Sequence, residues 1–108
     1  MKILIADSGS TKTDWRFIDD KGSITPFRSE GFNPRQMDAS RIESGIRNEV
    51  LMALGEKSPD EIYFYGAGCG TDEKKKIVHD VLAAIFDNCQ IEVDTDLLGA
   101  ARSLCGQE

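Results

Sequence analysis

The order of hydrophobic patterns along the chain constrains its fold more than any other feature. Residues 3–6 form a continuous apolar run, which is typical of a central strand covered on both faces. Trp15 and Phe17 then alternate with polar residues, which predicts a half-buried strand. Residues 23–28 predict a third strand, in which Pro26 favours an edge position. Because these strands follow one another closely, we expect them to pair in an antiparallel sheet.

A helix is predicted after the loop that contains Pro34. Ser40 and Glu43 have the spacing of a capping box, and Gly55 is expected to end the helix in the left-handed conformation. One apolar stripe runs along the helix and predicts the face that packs on the sheet. The stripe consists of Ile42, Ile46, Val50 and Leu54.

Two further strands, each followed by a helix, complete the pattern. Residues 61–65 predict a fourth strand, and a glycine-rich turn leads from it into a second helix capped by Thr71. Residues 91–94 predict a fifth strand, and a third helix is expected from Thr95 to Leu104. The chain therefore reads βββαβαβα, an α/β fold with a mixed five-stranded sheet whose later strands extend it in parallel.

Composition and charge limit the classes of function. The chain has 108 residues, enough for one small domain, and its net charge of −6 argues against duplex nucleic acid or an anionic membrane as the main partner. No apolar run approaches a membrane span and no signal-peptide pattern is present, so we expect a cytoplasmic protein.

Cys69, Cys89 and Cys105 are odd in number and widely spaced, which predicts free thiols. Residues 74–76 (KKK) are expected to form a solvated helix face.

The turn between the first two strands carries the strongest local signal for a ligand. Asp7 ends a buried strand, where a carboxylate can hold Mg²⁺ through water. The backbone N–H groups of residues 8–12 and the Lys12 ammonium can cradle phosphate oxygens, together with the hydroxyls of Ser10, Thr11 and Thr13. The turn leads into a strand and not into a helix, so it is not a Walker A loop. From the residues alone, an ordinary polar hairpin loop explains the turn equally well.

Two strand-to-helix junctions are further candidates. Asp94 and Asp96 stand at the second of them, where a carboxylate can act as a general base or can simply cap the helix. Residue chemistry alone favours capping. At the first junction, residues 66–70 (GAGCG) resemble a dinucleotide-binding loop, but Thr71 stands where the last glycine of that motif belongs. We expect these glycines to bring the backbone close to another ligand or to the first loop.

Three segments in this order resemble the sugar kinase and actin-like ATPase superfamily, whose lobes have an RNase H-like core. They are residues 3–13 (ILIADSGSTKT), 65–69 (YGAGC) and 93–101 (VDTDLLGAA). Within the superfamily the chain is most similar to the branch of N-acetylglucosamine kinases and BadF-type ATPases. The resemblance implies that residues 1–108 are the N-terminal lobe of a two-lobe kinase. The C-terminal lobe of the same protein would bind adenosine, and we expect the isolated lobe to be inactive.

The resemblance also implies roles for individual residues. Asp96 matches the general base that accepts a proton from the sugar hydroxyl, although Asp94 is close enough to be an alternative. Asn33 matches a position that hydrogen-bonds the sugar, and Asp7 would organise Mg²⁺ through water. The implied phosphate-binding residues are Asp7, Gly9, Ser10, Thr11 and Lys12, and the hydroxyl of Thr13 joins them on its chemistry. The implied substrate-binding residues are Asn33, Gly66, Ala67, Gly68 and Asp96.

The implied activity is phosphoryl transfer from ATP, with Mg²⁺, to an amino sugar, with N-acetylglucosamine as the first candidate. One alternative is a BadF-like activator ATPase, which couples ATP hydrolysis to electron transfer in a partner protein. Another is a binding domain that keeps the fold without catalysis. Asn33 is the residue that best distinguishes a sugar kinase from an activator ATPase, because its substitution should impair the kinase and leave the ATPase almost unaffected. The resemblance leaves homodimer formation open.

Overall fold

A five-stranded mixed sheet, in the order β3-β2-β1-β4-β5, organises the part of the chain that the computed structural model describes, residues 1–95. The strands are β1 (Ile3–Ser8), β2 (Lys12–Ile18), β3 (Ile24–Glu30), β4 (Glu61–Gly66) and β5 (Gln90–Thr95). The first three pair antiparallel, and β4 and β5 run parallel to β1. The predicted α/β class, the mixed sheet and the edge position of Pro26 are confirmed. The third predicted helix, after Thr95, lies outside the described residues.

The first helical segment begins at a different residue from the one predicted. Helix α1 (Ala39–Gly45) has Asp38 as its N-cap, and the Asp38 carboxylate accepts a hydrogen bond from the backbone N–H of Arg41. Ser40 lies inside the first turn, so the predicted capping box is wrong. An N-cap residue must accept a hydrogen bond from a backbone N–H two or three residues later while its own backbone stays extended. Asp38 meets both requirements, since it accepts from Arg41 and its ψ is 173°.

The same segment contains a π-helical turn. Residues Ile46–Val50 form this turn between α1 and a short helix α2 (Leu51–Leu54). The apolar stripe recurs every four residues, and in a regular α-helix each such step rotates by about 40°, so the stripe would drift off the sheet. The wider turn corrects the drift, and Ile42, Ile46, Val50 and Leu54 are all buried.

The first helical segment ends at Gly55, as predicted, but with a different backbone conformation from the one predicted. Gly55 has a φ of 64°, which is positive as expected. Its ψ of −119° lies outside the left-handed helical region that the sequence predicts. The absence of a side chain still permits this conformation.

Helix α3 (Asp72–Ile85) and the first helical segment pack on one face of the sheet. Trp15 lies at the centre of this core, stacked on Phe27 and edge-on to Phe64. In β1, Leu4 and Ala6 are fully buried, whereas Ile3 and Ile5 on the other face are half-buried. The prediction that β1 is covered on both faces is therefore not confirmed within the described residues. None of the helices in this part of the chain has the length and apolar character needed to cross a membrane.

Candidate functional site

The predicted site segments converge because three parallel strands end at the same edge of the sheet. Ser8 pairs with Gly66 in the register of β1 and β4, and Gly66 pairs with Thr95 in the register of β4 and β5. In open α/β sheets, ligands bind at this carboxyl edge. Asp96, the predicted general base, follows Thr95 directly in sequence and lies outside the described residues, as does Cys105.

The turn after β1 is a tight hairpin with Ser10 and Thr11 at its tip. The backbone N–H of Gly9 donates to the carbonyl of Lys12 at 2.8 Å and closes the turn. In the described part of the chain no group accepts from the N–H groups of Ser10 and Thr11, and both residues are exposed with Lys12. The hairpin therefore offers two backbone donors, two hydroxyls and an ammonium group, which suits phosphate oxygens. The Gly9 N–H, part of the predicted cradle, is already used within the turn.

Thr13 does not face this ligand surface. Its side chain is fully buried, its Oγ1 lies 2.8 Å from Ser8 Oγ, and it donates to the carbonyl of Glu30 at 2.9 Å. A hydroxyl committed in this way cannot reach a phosphate at the hairpin tip, so the position of Thr13 conflicts with the predicted phosphate contact. The signal was present in the sequence, because Thr13 shares the strand face of Trp15 and Phe17.

Asp7 points to the opposite face of the sheet, where its carboxylate is exposed. In the register it lies opposite Asp14 on one side and Tyr65 on the other. Asp14 is paired with Arg28 at 2.7 Å, whereas no cationic side chain of residues 1–95 forms an ion pair with Asp7. Like charges directly opposite each other repel, and a bound cation would offset that repulsion. The exposed carboxylate of Asp7 could hold Mg²⁺ only mainly through water, since among the described residues no three His, Cys, Asp or Glu side chains are grouped as metal ligands.

Asn33 lies between the hairpin and the turn after β4, with only 7% of its surface exposed. Its Oδ1 accepts from the backbone N–H of Arg35 at 2.9 Å, and its Nδ2 lies 3.5 Å from Ser10 Oγ. This arrangement directs the amide nitrogen toward the hairpin tip. Gly68 packs directly on the amide, because a Cβ atom at Gly68 would lie 2.0 Å from Asn33 Oδ1.

A cleft of about 460 Å³ opens beside Asn33, between the turn after β4, the start of α3 and the end of β5. Its lining residues are Arg35, Gly66, Gly68, Cys69, Gly70, Thr71, Glu73, Lys74 and Thr95. Gly66 and Gly68, two of the predicted substrate-binding residues, therefore line this cleft. Ala67 is half-buried and ties the turn to β1, since its N–H donates to the Ser8 carbonyl at 2.8 Å.

Three basic residues of this region had no predicted role at the site. Arg35 lines the cleft, and its only sequence signal is its place two residues after Asn33. Lys74 also lines the cleft, while Lys75 pairs with Asp94 at 3.3 Å, so neither belongs to the solvated face that was expected of residues 74–76. Asp94, the alternative base, forms this ion pair with Lys75, and the other candidate, Asp96, lies outside the described residues.

An ion pair supports the loop that carries Asn33. The Arg41 guanidinium donates to both carboxylate oxygens of Glu30, and Glu49 accepts from the backbone N–H of Glu30 at 2.9 Å. The hydrogen bonds from Arg41 hold the pKa of the Glu30 carboxyl below its ordinary value. The end of β3 is thus fixed to the helical segment immediately before Gly31.

The strand order and the loops gathered at one edge are those of an actin-like ATPase lobe. Neither a family model nor a curated protein matches the chain. Among solved structures, the chain is similar to the crystal structure of a protein described as a "Putative N-acetylglucosamine Kinase" from Porphyromonas gingivalis. The two share 47% identity with a TM-score of 0.87, over 96% of this chain and 38% of that one.

This similarity confirms the resemblance found in the sequence. Almost the whole chain is similar to one part of a protein described as a putative N-acetylglucosamine kinase, and its sheet is that of an actin-like ATPase lobe. The matched part of the neighbour is 38% of its length, so the chain spans less than half of that protein.

Proposed function

We propose that this chain is the N-terminal lobe of a two-lobe, ATP-dependent kinase that phosphorylates an amino sugar, with N-acetylglucosamine as the first candidate. The observation that carries the proposal is the 47% identity to the Porphyromonas gingivalis protein across 96% of this chain. The hairpin, Asn33 and the cleft at one edge of the sheet support it, because phosphoryl transfer requires nucleotide and acceptor side by side.

In this proposal the hairpin and Asp7 bind the nucleotide. ATP with Mg²⁺ would supply the phosphoryl group and neutralise part of its charge. The N–H groups of Ser10 and Thr11 and the Lys12 ammonium would donate to phosphate oxygens, since all three are exposed at the hairpin. Asp7 would hold the water shell of the cation from the other side of β1. The adenosine would be bound by the remainder of the protein.

The cleft would hold the sugar. Its volume of about 460 Å³ lies within the range of roughly 300–1,000 Å³ common for small-molecule sites. Asn33 does not line the cleft itself, so its Nδ2, which is directed toward the hairpin, would donate to a sugar oxygen that extends to that side, because its Oδ1 already accepts from Arg35. Gly66 and Gly68 would let the sugar approach the backbone. Asp96 would accept the proton of the attacking hydroxyl, which makes that oxygen a better nucleophile.

Nucleotide turnover of the full-length protein tests this proposal. ADP release would be measured with ATP and Mg²⁺ across a panel of hexoses and hexosamines. We expect turnover to require N-acetylglucosamine and to be lost in Asp96→Asn, while Asp94→Asn serves as the matched carboxylate control and keeps most of the activity. Asn33→Ala should raise the KM for the sugar. Hydrolysis of ATP that is equal with every sugar and with none would contradict the proposal and favour an activator ATPase.

A further inference from the structure

We propose that Ser8 is a positioning residue that couples the two ligand sites, so that nucleotide and sugar bind synergistically. The inference rests on the proposed kinase function and adds a link between its two substrates. Its basis is a buried chain of hydrogen bonds that joins Ser8 and Thr13, which flank the hairpin (residues 9–12), to Phe32 of the sugar loop (residues 31–33).

The direction of every bond in this chain is determined. The backbone N–H of Phe32 donates to Ser8 Oγ at 3.0 Å, and Ser8 Oγ lies 2.8 Å from Thr13 Oγ1. The single hydroxyl proton of Thr13 goes to the Glu30 carbonyl at 2.9 Å. Ser8 must therefore donate to Thr13, and it both accepts and donates within a fully buried site. Removing its hydroxyl would leave the buried N–H of Phe32 without an acceptor.

The two loops are also in direct contact. A Cβ atom at Gly31 would lie 2.3 Å from the carbonyl oxygen of Gly9 and 2.7 Å from the carbonyl carbon of Ser10. Asn33 Nδ2 reaches Ser10 Oγ at 3.5 Å across the same boundary. Because this packing leaves no free space, a shift of the hairpin on binding phosphate must also move the sugar loop.

The other side of the sugar loop is held by the helical segment. Glu49 accepts from Glu30, and a Cβ atom at Gly45 would lie 2.5 Å from the Phe32 ring. Phe32 is fully buried between these contacts. The Ser8 hydroxyl thus connects the hairpin side of the sugar loop to Phe32, while the helical segment holds the other side of the loop. A shift of the hairpin would therefore change the position of Asn33 in this loop.

Ser29 provides a matched control for the loss of a buried hydroxyl. It pairs with Thr13 in the register of β2 and β3 and is 7% exposed. Its Oγ accepts from Trp15 Nε1 at 2.8 Å and donates to the same Glu30 carbonyl at 2.9 Å. Ser29 therefore has the same number of hydrogen bonds as Ser8 but forms none with the sugar loop.

The test measures the affinity of the full-length protein for N-acetylglucosamine by calorimetry, with and without the Mg²⁺ complex of a non-hydrolysable ATP analogue. In the wild type we expect the analogue to tighten sugar binding on the order of tenfold. Ser8→Ala and Thr13→Val should reduce this ratio to near one, whereas Thr13→Ser, which keeps the hydroxyl, and Ser29→Ala should retain it.

The outcomes separate this inference from the proposed function. A wild-type protein that neither binds nor phosphorylates the sugar would overturn the proposed function. A wild-type protein that phosphorylates the sugar but shows a ratio of one, or a ratio lowered equally by Ser8→Ala and Ser29→Ala, would overturn the coupling alone. If Ser8→Ala fails to fold by circular dichroism, the comparison of Thr13→Val with Thr13→Ser decides.

Discussion

Replacing Gly68 by alanine tests the contact between the glycine turn and Asn33. Gly68 has a φ of 84°, a conformation that costs alanine about 1 kcal/mol. The added Cβ would also lie 2.0 Å from Asn33 Oδ1 and 2.8 Å from its Cγ. The amide cannot simply swing away, because it is buried and its Oδ1 accepts from Arg35.

Gly22 separates the backbone effect from the contact. Its φ is 85°, and nothing lies within 4 Å of a Cβ atom placed there. Gly22→Ala should therefore lower the free energy of unfolding by the backbone cost alone, about 1 kcal/mol. Gly68→Ala adds the cost of overpacking, roughly 1–3 kcal/mol more, because Asn33 must shift and weaken its bond to Arg35.

Urea unfolding of both variants in the full-length protein measures these costs, and steady-state kinetics measure their effect on the proposed reaction. We expect Gly68→Ala to raise the KM for the sugar on the order of tenfold, since Asn33 is displaced. Gly22→Ala, in a distant turn, should keep the wild-type KM. Equal losses of stability in the two variants, with equal KM values, would refute the reasoning from the Gly68–Asn33 contact.

Three further predictions concern the fold. Asp38→Ala should lower the free energy of unfolding by about 1 kcal/mol in urea titrations while Ser40→Ala leaves it almost unchanged, because Asp38 is the cap; equal losses would contradict this assignment. The pKa of Glu30 is lowered from 4.5 by Arg41, so its stabilisation is present above pH 4.5 and is lost as pH falls through the lowered pKa. Arg41→Gln should make stability less dependent on pH in that acidic range, and an unaltered dependence would count against the pair. Burial raises the pKa of Cys89 to about 11, so iodoacetamide should label it more slowly at neutral pH in the folded protein than in urea, as mass spectrometry can follow.

Much of the fold was predictable because each strand and helix carries its own hydrophobic period. Alternation identifies β2, and the continuous apolar run identifies β1 as the central strand. The cap of α1 was less accessible, since Asp38 and Ser40 are both good N-caps and only the position of the helix on the sheet selects between them. The four-residue spacing of the apolar stripe is the sequence signal for the π-helical turn, but a regular α-helix is the usual interpretation of such a stripe.

The candidate site was predictable where chain order alone brings residues together. The hairpin, Asn33 and the glycine turn meet because they follow strand ends or neighbour them at one edge. The burial of Thr13 also follows from the alternation in β2, and this strand position, not its hydroxyl chemistry, decides where the side chain lies. The positions of Arg35 and Lys75 depend on side-chain contacts between distant segments, and no local pattern reports such contacts.

The π-helical turn at Ile46–Val50 affects how relatives of this chain should be aligned. Leu54 stands twelve positions after Ile42, and in a regular α-helix that separation leaves the two side chains about 120° apart. With one residue fewer the angle falls to about 20°, so a regular helix could bury the same side chains. When a relative is aligned with this chain, a gap of one residue in this segment would then indicate a regular α-helix in place of the π-helical turn. The relative would keep both the helix and its buried face.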